Sequence, residues 1–272
     1  MVVEGAELLA TALAAGARVE SVYVAPEGRA GGGPVEVALT KGARVFDLAP
    51  GVVERVADTV HPQPVISIVE FSVSDIAELG DATARSFVVV CAEVRDPGNA
   101  GTVIRTADAV GASAVAFAES TVDPTNPKTV RASAGSIFHL PVLEGGPVVE
   151  LIRRLREGGY TTVGTLARDG GAYTDFDWCQ PVAIVLGNEA AGLADEVVAT
   201  LDATVTIPLD GQAESLNVST AAAVVCFEAR RQRLVADGDP SGPKGRSAGR
   251  PTMPGMEAAP AEVERVVGRA DG

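Results

Sequence analysis

Lysine is almost missing from this 272-residue chain, which carries it only at positions 41, 128 and 244. With 36 acidic side chains against 22 basic ones, the net charge is −14, and the molecule as a whole repels polyanions. That excludes a uniformly basic coat. Contact with a phosphate-rich partner would have to come from a local cluster of arginines, for which those at 95, 105, 131, 153, 154 and 156 are candidates. Histidine occurs twice, at 61 and 139, and cysteine three times, at 91, 179 and 226. These are too few and too scattered for a zinc site or a disulfide framework, so metal or histidine-based catalysis has little to draw on. An odd number of dispersed cysteines suits a reducing cytoplasm. No apolar run approaches the roughly 20 residues of a membrane helix. The start, MVVEGAELLA, lacks the basic and apolar pair of segments that makes a signal peptide.

What is there reads as two α/β units and a tail. VEGAELLATALAAG, from residue 3, predicts an amphipathic helix stopped by Gly16. VESVYVAP, ARVFDLAP and PVISIVEF follow as strands bounded by Pro or Gly. Helix signals already at residue 4 make an abrupt beginning, which predicts an N-terminal unit short of one upstream element. The stretch 76–84 reads as a linker. From Phe87, the runs FVVVCAEV, AVAFA, TTVGTL, VAIVLG and ATVTIPL are continuous apolar strands. Helical patterns separate them near 99–110, 126–134, 148–157 and 215–234. Such alternation predicts a mostly parallel sheet with helices on both faces, with ligands beyond the carboxyl ends of its strands. RDPGN, GTLARDGG, LGNEAAGL and IPLDGQAESLN then share one rim. From about Asp237 the chain turns Gly-, Pro- and Ser-rich, a composition that predicts a disordered tail over 237–272.

Four segments carry more polar groups than their local structure needs. In DPGNAGTVIRTADAVGA, Asn99 can cap a helix whose apolar stripe is Val103, Ala107 and Val110. Arg105 lies off that stripe, either paired with Asp108 one turn on or held for an anion. In LGNEAAGL, Glu189 either complements the dipole of a following helix or orients a ligand, and Gly187 lets backbone approach closely. Lys128 and Arg131, one turn apart, are a solvated basic face or a phosphate contact. In GQAESLNVS a capping role for Ser215 leaves Asn217 and Ser219 unexplained, because both are poor residues inside a helix.

In order and spacing, DPGNAGTVIRTADAVGA, KTVRASAGSIFHLPV, VLGNEAAGL and IPLDGQAESLNVSTAAAVVCFEARRQ resemble the successive signature segments of the SpoU/TrmH RNA ribose 2′-O-methyltransferases. The resemblance covers roughly residues 85–236. Residues 1–75 are similar to the small L30e-like domain by which many of these enzymes bind substrate. The resemblance implies a trefoil-knotted catalytic domain of the SPOUT superfamily, S-adenosylmethionine as cofactor, and a homodimer, none of which periodicity shows. It makes Asn99, Arg105, Glu189, Ser215 and Asn217 the catalytic set and places the cofactor against Thr165, Leu186, Gly187, Ile207 and Leu216. Lys128 and Arg131 become RNA contacts. The implied activity is methylation of a ribose 2′-hydroxyl, in 23S rRNA in the leading reading, since an L30e-like domain suits folded rRNA. Methylation of tRNA, a catalytically silent RNA-binding module and, more distantly, a dinucleotide-dependent oxidoreductase are the alternatives.

Overall fold

Two sheets follow the two halves of the sequence in the computed structural model, which describes residues 1–31, 33–56 and 62–238. The tail beyond residue 238 and His61 lie outside the described residues. The smaller sheet has the order β1-β4-β2-β3, from β1 (Val2–Glu4), β2 (Val19–Val24), β3 (Arg44–Asp47) and β4 (Val65–Val69). Its helices are α1 (Ala6–Ala14), α2 (Gly33–Thr40) and the single turn α3 (Val53–Val56). The first element differs from the expectation. Val2 to Glu4 form a strand antiparallel to β4, and the helix starts only at Ala6, because Gly5 turns the chain at φ 95°. The β-branched pair Val2-Val3 thus gains a ladder partner that a helix end would not supply.

The larger sheet has eight strands, all parallel, in the order β10-β12-β9-β11-β6-β7-β8-β5. They are β5 (Ser74–Asp75), β6 (Phe87–Cys91), β7 (Ala114–Phe117), β8 (Val142–Glu144), β9 (Thr161–Leu166), β10 (Gly171–Ala172), β11 (Val182–Leu186) and β12 (Ala203–Thr206). The five long runs seen in the sequence supply β6, β7, β9, β11 and β12. The short β5, β8 and β10 carry too few residues for a periodic signal. Because Ser74 and Asp75 pair with β8, the passage between the two sheets falls after Val69, a little before residue 75. The stretch read as a linker holds a 3-10 turn, Ile76–Leu79, closed by a capping box between Asp75 and Glu78. Every residue of β6, β7 and β11 is buried, as two-sided coverage demands.

The covering helices are α4 (Pro97–Val110), α5 (Pro127–Ala132), α6 (Val148–Glu157), α7 (Asp195–Val198) and α8 (Val218–Ala236). Helix α8 runs back across α4. The two can approach because α8 turns Ala222, Val225, Cys226 and Ala229 inward, small groups against Ala100, Val103 and Ala107. At the far end of α8, Arg233 donates to the carbonyls of Trp178, Arg85 and Gln180, each at 2.8 Å, and lies over the Phe87 ring. On the other flank α4 touches α5 at Gly101, where a Cβ would stand 2.4 Å from the Thr129 carbonyl oxygen. Helix α5 in turn meets β1 through an ion pair of 2.9 Å between Arg131 and the buried Glu4 carboxylate. One continuous apolar core therefore runs from Val3 and Leu9 through Val103 and Ile104 to Ile184 and Val225.

The arginine cluster divides. Arg153, Arg154 and Arg156 stand on α6 and are committed to Glu150, Glu157, Asp75 and Asp202. Hydrogen bonds from Arg153 and Arg154 hold the Glu150 carboxyl down at about 2. The Asp202 partner sits at the start of β12, the end of a parallel sheet opposite the ligand rim, so these three arginines form no patch with Arg105. No helix among the described residues is long and apolar enough to cross a membrane.

Candidate active site

Three of the polar segments meet beyond the carboxyl ends of β6 and β11. After β6 the chain turns at Glu93, φ 62°, and Asp96 caps α4 by accepting from the Asn99 N–H at 2.9 Å, with Pro97 in the first turn. Asn99 was expected to be that cap; one turn further in, its side chain is free for another task. Its Nδ2 donates to Glu189 Oε1 at 3.0 Å. Glu189 lies in the loop before α7 rather than in a helix, and it also accepts from the backbone N–H groups of Asp96 at 3.1 Å and Arg95 at 3.3 Å. Burial pushes its pKa up. The Asn99 amide and the backbone N–H groups of Asp96, Glu189 and Arg95 outweigh that, and the net shift is downward.

An ionised carboxylate can only accept, so Glu189 settles which way Asn99 faces. Asn99 Oδ1 is then left for Asn217, whose Nδ2 donates to it at 2.9 Å. Asn217 Oδ1, in turn, accepts from the Ser219 N–H at 2.9 Å, the Thr220 N–H at 3.3 Å and the Ser219 hydroxyl at 2.7 Å. Asn217 is thus the N-cap of α8, where Ser215 was the expected cap, and Asn217 and Ser219 are no longer misfits inside a helix. A single chain of oriented amides links the loop after β11, the start of α4 and the start of α8, across 90 and 118 residues of sequence.

Beside this chain opens a cavity of about 350 Å³, within the range of about 300–1,000 Å³ common for small-molecule sites. Its walls come from the ends of β9, β11 and β12, with Thr165, Leu166, Gly187, Val205 and Ile207, and from Leu216 and the α8 residues Val218, Ala221 and Val225. Four of the five expected cofactor residues, Thr165, Gly187, Ile207 and Leu216, line it. Leu186 does not: it is fully buried, and its carbonyl accepts from Ala92 N–H at 2.8 Å. Ser215 lies exposed on the cavity rim, and its hydroxyl makes no hydrogen bond among the described residues. Gly187 is required by the loop itself. A Cβ there would lie 2.4 Å from the Gly192 carbonyl carbon, because Asn188 and Gly192 close the loop with two 2.9 Å backbone hydrogen bonds. Gly187→Ala should therefore force the loop open, lowering stability by about 2–3 kcal/mol and weakening cofactor affinity at least about tenfold, read by thermal denaturation and calorimetry.

Arg105 sits on α4 beyond Asn99, exposed and outside the cavity wall, with no ion pair among the described residues. The pairing with Asp108 does not form; Asp108 meets His139 Nδ1 at 2.8 Å. Lys128 stands 3.9 Å from Asp96 near the start of α4, whereas Arg131 is turned away to Glu4. Sequence reasoning passed over Asn188, which builds the 187–193 loop by accepting from Ala190 N–H and Ala191 N–H and donating to the Glu93 carbonyl. It also passed over Asp96. Both are of the residue types that favour turns and caps, and each adjoins a singled-out residue or its motif.

The SpoU rRNA Methylase family pattern matches residues 86–227, which span the larger sheet from β6, the cavity and most of α8. The chain belongs to the SpoU rRNA methylase family. Among curated members it is 33% identical over 228 residues to the 23S rRNA (guanosine(2553)-2′-O)-methyltransferase RlmP of Bacillus subtilis, covering 84% of this chain and 87% of that one. Among solved members, the SpoU methyltransferase AviRb of Streptomyces viridochromogenes, in complex with AdoMet, aligns with a TM-score of 0.77 at 30% identity, over 86% of this chain and 90% of that one. The AdoMet-bound rRNA methyltransferase of Sinorhizobium meliloti aligns at 0.74 and 33% identity, over 85% and 86%. Because both alignments with solved members extend beyond the family pattern, the likeness takes in more of the chain than residues 86–227.

Proposed function

We propose that this protein methylates a ribose 2′-hydroxyl in RNA, using S-adenosylmethionine, and that its substrate is 23S rRNA. The observation that carries the reading is the Glu189–Asn99–Asn217 chain standing beside a cavity at the strand ends, in a chain of this family. The named substrate of the Bacillus subtilis relative supports the choice of rRNA. The cavity suits the cofactor. Leu166, Ile207 and Leu216 offer apolar faces to an adenine ring, and the turned-back 187–193 loop offers backbone groups to its polar edge.

When bound, S-adenosylmethionine supplies a methyl group on a sulfonium, activated for transfer without a metal. The chain's part is to align the acceptor and hold charge. Orientation of this kind is worth up to about 7–11 kcal/mol in favourable cases. A guanidinium keeps its protons under any ordinary condition and is no base. Arg105 therefore acts as an electrostatic clamp on the 2′-hydroxyl and the neighbouring phosphate, and Ser215 and Asn217 stand at the reacting end. Lys128, near the start of α4, adds a phosphate contact; Arg131 serves RNA only if it leaves Glu4. The small N-terminal sheet and its helices serve as the RNA-binding unit. A homodimer and the knotted path belong to the same reading. Half-exposed Phe227 on α8 supports the first, and the return of α8 across α4 supports the second.

Mapping 2′-O-methylation across total rRNA and tRNA, with and without the protein, tests the proposal. One position in 23S rRNA should lose its methyl group. Loss at a tRNA position would move the substrate, and an unchanged map would leave a binding module.

A further inference from the structure

One charged group on the cavity wall is used by none of this. Arg168 follows β9, in a loop held on both sides. Asp169 turns the chain at φ 63°, a left-handed conformation that aspartate tolerates. Gly170 donates its N–H to Thr206 Oγ1 at 2.9 Å, and a Cβ on it would lie 2.7 Å from the same oxygen. Residues 171–172 then join β12 as β10. The position of Arg168 on the wall is fixed by this backbone.

Among the residues lining the cavity, Arg168 is the one cation. Asp169 and Glu189 are the other charged groups, and the Glu189 oxygens are already engaged by Asn99, Asp96 and Arg95. The Arg168 side chain makes no ion pair or hydrogen bond among the described residues. Arg95 is committed to Glu93, Arg131 to Glu4, and Arg153 and Arg154 to Glu150, whereas Arg105, also without an ion pair among the described residues, lies outside the cavity wall. In so acidic a chain, an unpaired guanidinium on a concave wall is a ready partner for a carboxylate, which it can meet with two parallel N–H donors.

We propose that Arg168 binds the α-carboxylate of S-adenosylmethionine and so makes the site selective for adenosine ligands that carry an amino-acid end. The inference rests on the cofactor reading above. It assigns to one side chain a recognition that the apolar walls and loop backbone do not provide.

The test is calorimetric titration of wild type, Arg168→Gln and Arg168→Lys with S-adenosylmethionine and with its decarboxylated form, which keeps the sulfonium and the amine. Wild type should prefer the intact cofactor. Arg168→Gln should lose about 10- to 100-fold in affinity for it, with the decarboxylated ligand unaffected, so that the preference disappears. Arg168→Lys, which keeps a point charge, should retain part of the preference. Binding of the intact cofactor by Arg168→Gln as tightly as by wild type would overturn the proposal. So would equal losses for both ligands, which mean a disturbed loop, or a loss confined to RNA affinity, which means a phosphate contact. If wild type bound neither ligand, the cofactor reading itself would fall.

Discussion

An Arg105→Ala variant is expected to lose about 100- to 1,000-fold in methylation rate while its affinity for S-adenosylmethionine stays within about twofold. The separation follows from position. Arg105 lies outside the cavity wall and is exposed on α4, so removing it takes nothing from the cofactor. It has no ion pair to lose among the described residues, so stability should hardly change. What disappears is a fixed positive charge held for the acceptor, of the kind whose value is realised as charge develops. Arg105→Lys should recover only part of the rate, because a point charge cannot bridge a hydroxyl and a phosphate as a planar fork can. Single-turnover methylation set beside calorimetry reads both quantities. Normal turnover by the alanine variant would remove Arg105 from the mechanism.

Removing the Glu189 carboxylate should cost more broadly. Glu189→Ala leaves the Asn99 amide and the backbone N–H groups of Asp96 and Arg95 without their acceptor. Hydrogen bonds to a charged group are worth about 1.5–3 kcal/mol each, and partial exposure lets water replace some of them. A stability loss of about 2–3 kcal/mol and a severe loss of activity are expected together, because Asn99 would no longer be oriented toward Asn217. The pH dependence carries a sign. The folded-state pKa of Glu189 is below its ordinary value, so its contribution is complete above the unfolded pKa of about 4.3 and fades as pH falls through the folded value. Melting curves of wild type and Glu189→Gln should be well apart near neutral pH and converge as the pH falls below the unfolded value of about 4.3. A gap that stays constant with acidification would show that the charge is not what orders this loop.

How much of this was legible in the sequence depends on the length of each signal. The five long apolar runs announced the parallel sheet, and the rim loops were placed correctly from the rule that ligands lie beyond carboxyl strand ends. The strands of two or three residues left no trace, since β5, β8 and β10 are made by pairing and not by pattern. Helix starts were misassigned by two or three residues in α4 and α8, and for one reason. Asn99, Ser215 and Asn217 are all capable caps, and only tertiary contact decides which of them caps a helix and which is released. By pattern Asn217 is a misfit inside α8, yet it caps that helix, while Asn99 has the pattern of a cap and instead bonds across to Glu189. The pairing of Arg131 with Glu4 was invisible for a different reason. It joins residues 127 apart, and neither local composition nor spacing relates them.

The order in which the site is assembled has a consequence for the growing chain. The sheet's central strands, the turn that holds Asn99 and the loop that holds Glu189 are all made by residue 193. The cap on α8 and the last wall of the cavity, Ile207 to Val225, follow them in the chain. A nascent chain stopped short of Asn217 has most of the sheet and two of the three linked side chains, yet no enclosed site. Competence to bind a cofactor thus arrives only with the segment from Ile207 to Val225, which closes the cavity on strands and loops made before it.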